Sequence, residues 1–273
     1  MKFLIILSLF LISIFAKPIV AVSIPPQKYI LNELAKDLVE PLVIVKPGNS
    51  PHTYEPKPSQ MIALSKAKLY LAIGVEFEDV WLNKFKEQNP SMLIENVDKN
   101  ITKISISSKS KSGKKDPHIW LSIKNLKTIA KNTTNALIKI DNKNQDIYNK
   151  NLNSFLEKLD KTDKEIKEIL KDVNPRVFLI FHPSWGYFAR DYNLTQIAVE
   201  IEGKEPSPKE LVKILKLATK YKVKVIFTQP EFSDKEANLI AKELNIKVVK
   251  VTPLKENILN NMLEFAKALK GEN

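Results

Sequence analysis

The sequence predicts an α/β protein of two lobes, each a four-stranded, mainly parallel sheet with flanking helices, the two joined by one long helix. Three observations carry that prediction. Short runs rich in Val, Ile, Leu and Phe alternate with amphipathic runs, first in one half of the chain and again in the other, and strands separated by helical crossovers pair in parallel. A polar-amphipathic stretch from about Asn144 to Val173 contains no Gly or Pro and divides the halves; at 1.5 Å per residue a helix there reaches roughly 45 Å, the length of a lobe. The 273 residues, 44% hydrophobic and 27% charged, are enough to bury a sizeable core.

In chain order, Lys2 and the apolar run Phe3–Ala16 (FLIILSLFLISIFA) have the form of a secretory signal peptide, too short to span a bilayer comfortably. Residues 1–16 are read as that signal, with cleavage after Ala16. The first lobe is expected over 17–143. Its strands are PIVAVSI (18–24), EPLVIVKP (40–47), LYLAIG (69–74) and MLIENV (92–97). Between them lie helices through QKYILNELAKDL, QMIALSKAK (capped by Ser59) and FEDVWLNKFKE. The Ser/Lys-rich stretch 98–116 reads as a mobile loop, and a helix from about Ser122 to Ile140 completes the lobe.

Residues 144–173 form the linking helix, with Ile147, Leu152, Phe155, Leu156, Leu159, Ile166 and Leu170 as its apolar stripe, ended by Asn174-Pro175. The second lobe spans 174–273. RVFLIFH (176–182), TQIAVE (195–200), VKVIFTQ (223–229) and KVVKVT (247–252) are its strands, with helices near 183–191, 208–220, 233–244 and 256–270.

Composition narrows function. With no cysteine, disulfides, thiolate metal sites and lipid attachment at cysteine are excluded, so a metal site must use His, Asp, Glu and water. The formal charge of +12 invites a nucleic-acid reading, but Arg176 and Arg190 are the only arginines among 43 basic residues. The lysines alternate with Glu and Asp, as in KLDKTDKEIKEILKD, which is a solvated helix face; no nucleic acid partner is expected.

The three histidines each abut a proline: Pro51-His52, Pro117-His118 and His182-Pro183. Proline presets the backbone beside it, which suits a metal site whose Zn–N distances tolerate little slack. Two of them follow predicted strands, where open α/β sheets bind ligands. Their spacing matches no short zinc motif. From the residues alone, a shared metal and three unrelated histidines stay equally open.

Five segments in order extend the reading. PGNSPHTYEPKPSQM (47–61), DPHIWLS (116–122) and FHPSWGYFARDY (181–192) resemble three ligand segments of zinc/manganese-type periplasmic solute-binding proteins, the receptors of metal-importing ABC transporters. EGKEPSPKELVKI (202–214) and QPEFSDKEANLIAKELNIKVVKVTPL (229–254) resemble the two segments that follow. The resemblance implies a monomeric periplasmic receptor that binds a divalent metal with His52, His118 and His182 and hands it to a membrane permease. It places Thr252 where the family carries an aspartate ligand; a neutral hydroxyl is a poor substitute, so water is expected there, with Glu231 a weaker fourth-ligand candidate. Zn²⁺ is the expected cargo, since three imidazoles suit zinc and Mn²⁺ favours oxygen; a receptor for manganese or another divalent metal is the alternative.

Glu55 and Asp116 flank ligand histidines and are candidates to accept their ring N–H bonds, with helix capping or a solvent-facing position equally open to them; Glu202 and Glu205 are similar cases. Tyr54, Trp120, Trp185 and Tyr187 are read as core or cleft wall. A zinc hydrolase is a further alternative, but no HExxH, nucleophile elbow or spaced catalytic carboxylate supports an enzyme.

Overall fold

The structure, a computed structural model, describes residues 17–106, 113–200, 203–230, 232 and 234–272. The signal-peptide reading of 1–16, Glu202 and Glu231 lie outside them. Two four-stranded parallel sheets are present. β1 (Ile19–Val22), β2 (Glu40–Val43), β3 (Leu69–Ala72) and β4 (Leu93–Asn96) run in the order β2-β1-β3-β4. β5 (Val177–Ile180), β6 (Thr195–Ala198), β7 (Val225–Thr228) and β8 (Lys247–Lys250) run in the equivalent order β6-β5-β7-β8. Pairing is parallel throughout, with Ile19 opposite Glu40 in one sheet and Val177 opposite Thr195 in the other. Crossover direction reverses between β1 and β3 and between β5 and β7, and ligands of open α/β sheets gather at the carboxyl ends there.

The helices are α1 (Pro25–Ala35), α2 (Pro58–Leu64), α3 (Glu76–Gln88), α4 (Ile123–Ile140), α5 (Gln145–Leu170), α6 (Gly186–Asp191), α7 (Pro208–Lys220), α8 (Lys235–Leu244) and α9 (Ile258–Lys270). Ser122 caps α4 by accepting from the Asn125 amide. Ser59 does not cap α2. Pro58 stands at its start with φ preset for helix, and the Gln60 side chain accepts the Lys57 amide at 2.9 Å.

Helix α5 packs on α1 and α4 of the first lobe and on α9 of the second. Its buried stripe is Tyr148, Phe155, Leu159, Thr162, Ile166 and Leu170. Ile147, expected in the stripe, is exposed, because it lies one residue and so about 100° off that face. Tyr148 takes the place, its hydroxyl donating to Asp141 at 2.8 Å.

One apolar core runs through both lobes, from Val20, Leu71 and Phe85 through Phe155 to Phe178, Phe227 and Phe265. Strand alternation splits the second sheet: Phe178 and Phe227 face that shared core, while Leu179 and Ile226 face a separate cluster under α7 and α8 with Val199, Ile214 and Ile240.

At the reversal point of the first sheet, Ser23 hydrogen-bonds the buried Glu78, which also accepts the Ile73 and Gly74 amides at 3.0 and 2.7 Å. The stretch 98–116, expected as a mobile loop, has its ends joined: Ile106 donates to Lys114, Asp116 donates to Ile104, and Ser105 bridges Lys115.

Candidate metal centre

All three histidines meet between the lobes. His52 sits in the loop after β2, held to the start of α3 by the Phe77 amide donating to the Pro51 carbonyl at 3.3 Å. His118 follows the paired stem of the 98–116 loop and is buried. His182 follows β5 and is also buried; the Gln229 side chain accepts its backbone N–H at 3.1 Å and donates to its C=O at 2.8 Å.

The Nε2 atom of His182 stands 3.2 Å from that of His52 and 3.4 Å from that of His118. One nitrogen from each ring falls within a 4.8 Å cluster. A metal with Zn–N bonds of 2.0–2.1 Å in tetrahedral geometry sets donors about 3.3–3.4 Å apart, the separations seen here.

Each ring is fixed from behind by a carboxylate. His52 Nδ1 lies 2.8 Å from Glu76 Oε2, His118 Nδ1 2.8 Å from Asp116 Oδ1, and His182 Nδ1 3.0 Å from Glu200 Oε2. A carboxylate only accepts, so the Nδ1 atoms carry the protons and the three Nε2 lone pairs converge. Three acceptors this close, with no donor between them among the described residues, call for a cation. Asp116 also accepts the His118 backbone N–H at 2.9 Å, while Glu76 Oε1 pairs with Lys114 at 3.1 Å.

Burial raises the Glu76 carboxyl, but the His52 hydrogen bond and charge, with Lys114 behind them, outweigh it and hold the group at about 2. For His182, burial pushes proton affinity down and the neighbouring His118 and His52 add to that, against Glu200. Its ring therefore stays neutral and available to a metal to lower pH than an ordinary imidazole.

A cavity of about 10 Å³ lies between the rings, lined by Ser50, Pro51, Trp120, Phe232, Pro253 and Leu254 besides the histidines. Phe232 stacks on His182 with centroids 4.7 Å apart, and Trp120 stands 5.3 Å from His118. The Trp120 indole donates to the Pro253 carbonyl at 2.7 Å, joining the wall of one lobe to the other.

Of the flanking acids expected behind the rings, Asp116 is there. Glu55 is exposed on its loop, and Glu76 holds His52 instead; Glu205 is exposed too. Thr252 was expected within reach of the cleft, but it lines a neighbouring depression with Asn261 and Glu264. Its hydroxyl accepts the Leu254 amide at 3.1 Å, and the chain's turn at that point presents Pro253 and Leu254 to the cavity. Of the aromatics, Trp120 is cavity wall, Tyr187 donates to the Asp116 carbonyl at 2.8 Å, Tyr54 donates to Gln60, and Trp185 stacks on Phe265 in the core.

Glu76, Glu200, Gln229 and Phe232 escaped the sequence reading. The available signal was position: Glu76, Glu200 and Gln229 stand just beyond the carboxyl ends of β3, β6 and β7.

A family model described as "Zinc-uptake complex component A periplasmic", ZnuA, matches residues 20–270. Crystal structures of ZnuA, one a deletion mutant with zinc bound, are 39% identical with a TM-score of 0.89, covering 93–94% of this chain and 98% of theirs. A mutant, Mn-bound periplasmic metal binding protein from candidatus liberibacter asiaticus is 26% identical with a TM-score of 0.81, covering 93% of this chain and 98% of that one. The manganese ABC transporter substrate-binding lipoprotein scaA of Streptococcus gordonii is 32% identical over 80% of this chain and 74% of its own length. With the match running from β1 to the end of α9, the chain belongs to the ZnuA family of metal-binding, non-enzymatic receptors of ABC metal transporters.

Proposed function

We propose that this receptor captures Zn²⁺ with His52, His118 and His182, completes a tetrahedral site with water, and delivers the ion as a monomer to an ABC permease. The convergence of three Nε2 atoms at 3.2 and 3.4 Å carries the reading. Zinc is favoured over manganese by the donors: among the described residues lining the cavity, imidazoles are joined by no carboxylate, and Mn²⁺ favours oxygen ligands. The zinc-bound ZnuA mutant supports this choice; the manganese-bound relative and the streptococcal manganese lipoprotein make Mn²⁺ the second reading. In the same reading, residues 1–16 direct export, the mature chain starts at Lys17, and 144–173 links lobes 17–143 and 174–273.

Metal competition with mass-spectrometric metal content tests the proposal. One zinc per chain is expected, held at least 100-fold more tightly than manganese. Each of His52→Ala, His118→Ala and His182→Ala should weaken zinc by more than the 10–100-fold typical of changes behind the ligands. A histidine whose removal leaves zinc affinity intact is no ligand, and equal or tighter manganese binding overturns the zinc assignment.

A further inference from the structure

The three ligand rings are not held alike. His118 and His182 are buried, and each leans on a carboxylate that is itself buried, Asp116 or Glu200. The His182 backbone is clamped on both sides by Gln229, and the His118 amide is bound by Asp116. The His52 side chain keeps 22% of its exposure, and its carboxylate, Glu76, keeps 25%. The His52 amide makes a long 3.3 Å contact to the Ser50 hydroxyl.

Among the described residues, Glu76 alone of the three carboxylates is shared with a lysine. Its Oε2 faces His52 and its Oε1 faces Lys114, whose backbone is fixed by the paired stem of the 98–116 loop. A carboxylate behind an imidazole raises the basicity of the distal nitrogen and so tightens the metal. A cation on the other oxygen draws that charge away, and it also repels an incoming dication. The lysine would be superfluous if Glu76 needed only to be oriented, since the His52 bond and its place at the start of α3 already do that.

The geometry points to Glu76 and Lys114 as an opposed pair of positioning residues that sets how fast the metal leaves through His52, Glu76 tightening that ligand and Lys114 loosening it. The inference rests on the three-histidine reading above. It makes His52 the first ligand to let go, on the side where the loop stem and the start of α3 meet.

The test is stopped-flow release of zinc from the full chain to a chromophoric chelator, with equilibrium affinity measured in parallel. Glu76→Gln should release zinc at least tenfold faster. Lys114→Met, which keeps the length and removes the charge, should release it two- to fivefold more slowly, and Lys114→Arg should restore the wild-type rate. The Lys114→Met effect should shrink in 1 M salt, because exposed charges are screened there. Faster release from Lys114→Met would show that the lysine merely props Glu76, and an unchanged rate in Glu76→Gln would remove Glu76 from the device; either overturns the inference. His182→Ala separates the two readings. If it keeps wild-type zinc affinity, the three-histidine site itself fails; if it loses zinc while the Glu76 and Lys114 variants behave as wild type, only the release device fails.

Discussion

Glu78 shows how much one buried group can bend a pH profile. Burial, with Asp98 adding to it, outweighs the Ser23 hydroxyl and the Ile73 and Gly74 amides and lifts its carboxyl from the usual 4.5 to about 7. The folded chain therefore binds a proton that the unfolded chain gives up near 4.5. Stability from this group is complete below that value and lost as pH rises through about 7. Glu78→Gln lacks that slope, so urea denaturation should find its stability deficit against wild type larger at pH 5 than at pH 8; an equal deficit would contradict the assignment. Trp120 makes a second point at this scale. Trp120→Phe leaves the Pro253 carbonyl without its buried donor, and thermal denaturation should show a loss of about 1–3 kcal/mol.

Elements were more legible than their contacts. The eight strands of the described residues fall within the predicted spans, since β-branched runs between helical crossovers leave few alternatives. The long helix is also where an uninterrupted amphipathic stretch demands it, at Gln145–Leu170. Ile147 falls outside the stripe because periodicity gives a face without saying which edge of it meets a neighbour. The three histidines were legible through their prolines and the family segments. Glu76 and Glu200 were not, because their rings lie far off in sequence and only the folded sheets bring them together. Nor could Thr252 be placed, as its strand-end turn aims the next two residues at the cavity. Helix α9 carries a prediction at this scale: Phe265 stacks on Trp185 at 3.7 Å and touches Phe178, Phe188 and Phe227. Phe265→Ala should cost about 3–5 kcal/mol in urea denaturation, the range for emptying a buried aromatic position. A cost under about 1 kcal/mol would mean that α9 is not a structural wall of the second lobe.

At the scale of the molecule, a core continuous from Val20 to Phe265, together with α5 gripping helices of both lobes, opposes wide opening. Cargo exchange should then be local. Small-angle scattering of metal-free and zinc-loaded protein should give radii of gyration near the roughly 18 Å expected of a compact chain this long, differing by less than about 1 Å. A larger compaction would mean that the lobes swing apart.

The separate cluster beneath α7 and α8 has a consequence for the clock of amide hydrogen exchange. That layer is small and faces away from the shared core, so it is the natural unit to open while the remainder stays folded. Yet Glu200 stands at its border just past β6, and Phe232 packs against it while stacking on His182. Opening the layer dismantles the backing of His182, so an ion held there as proposed would oppose it. Deuterium uptake in α7 and α8 should therefore slow by about 100-fold when free zinc exceeds its dissociation constant 100-fold. Uptake that proceeds by local fraying, as at the ends of α1, leaves the site intact and should hardly change, so α7 and α8 would report the filling of a site they do not touch.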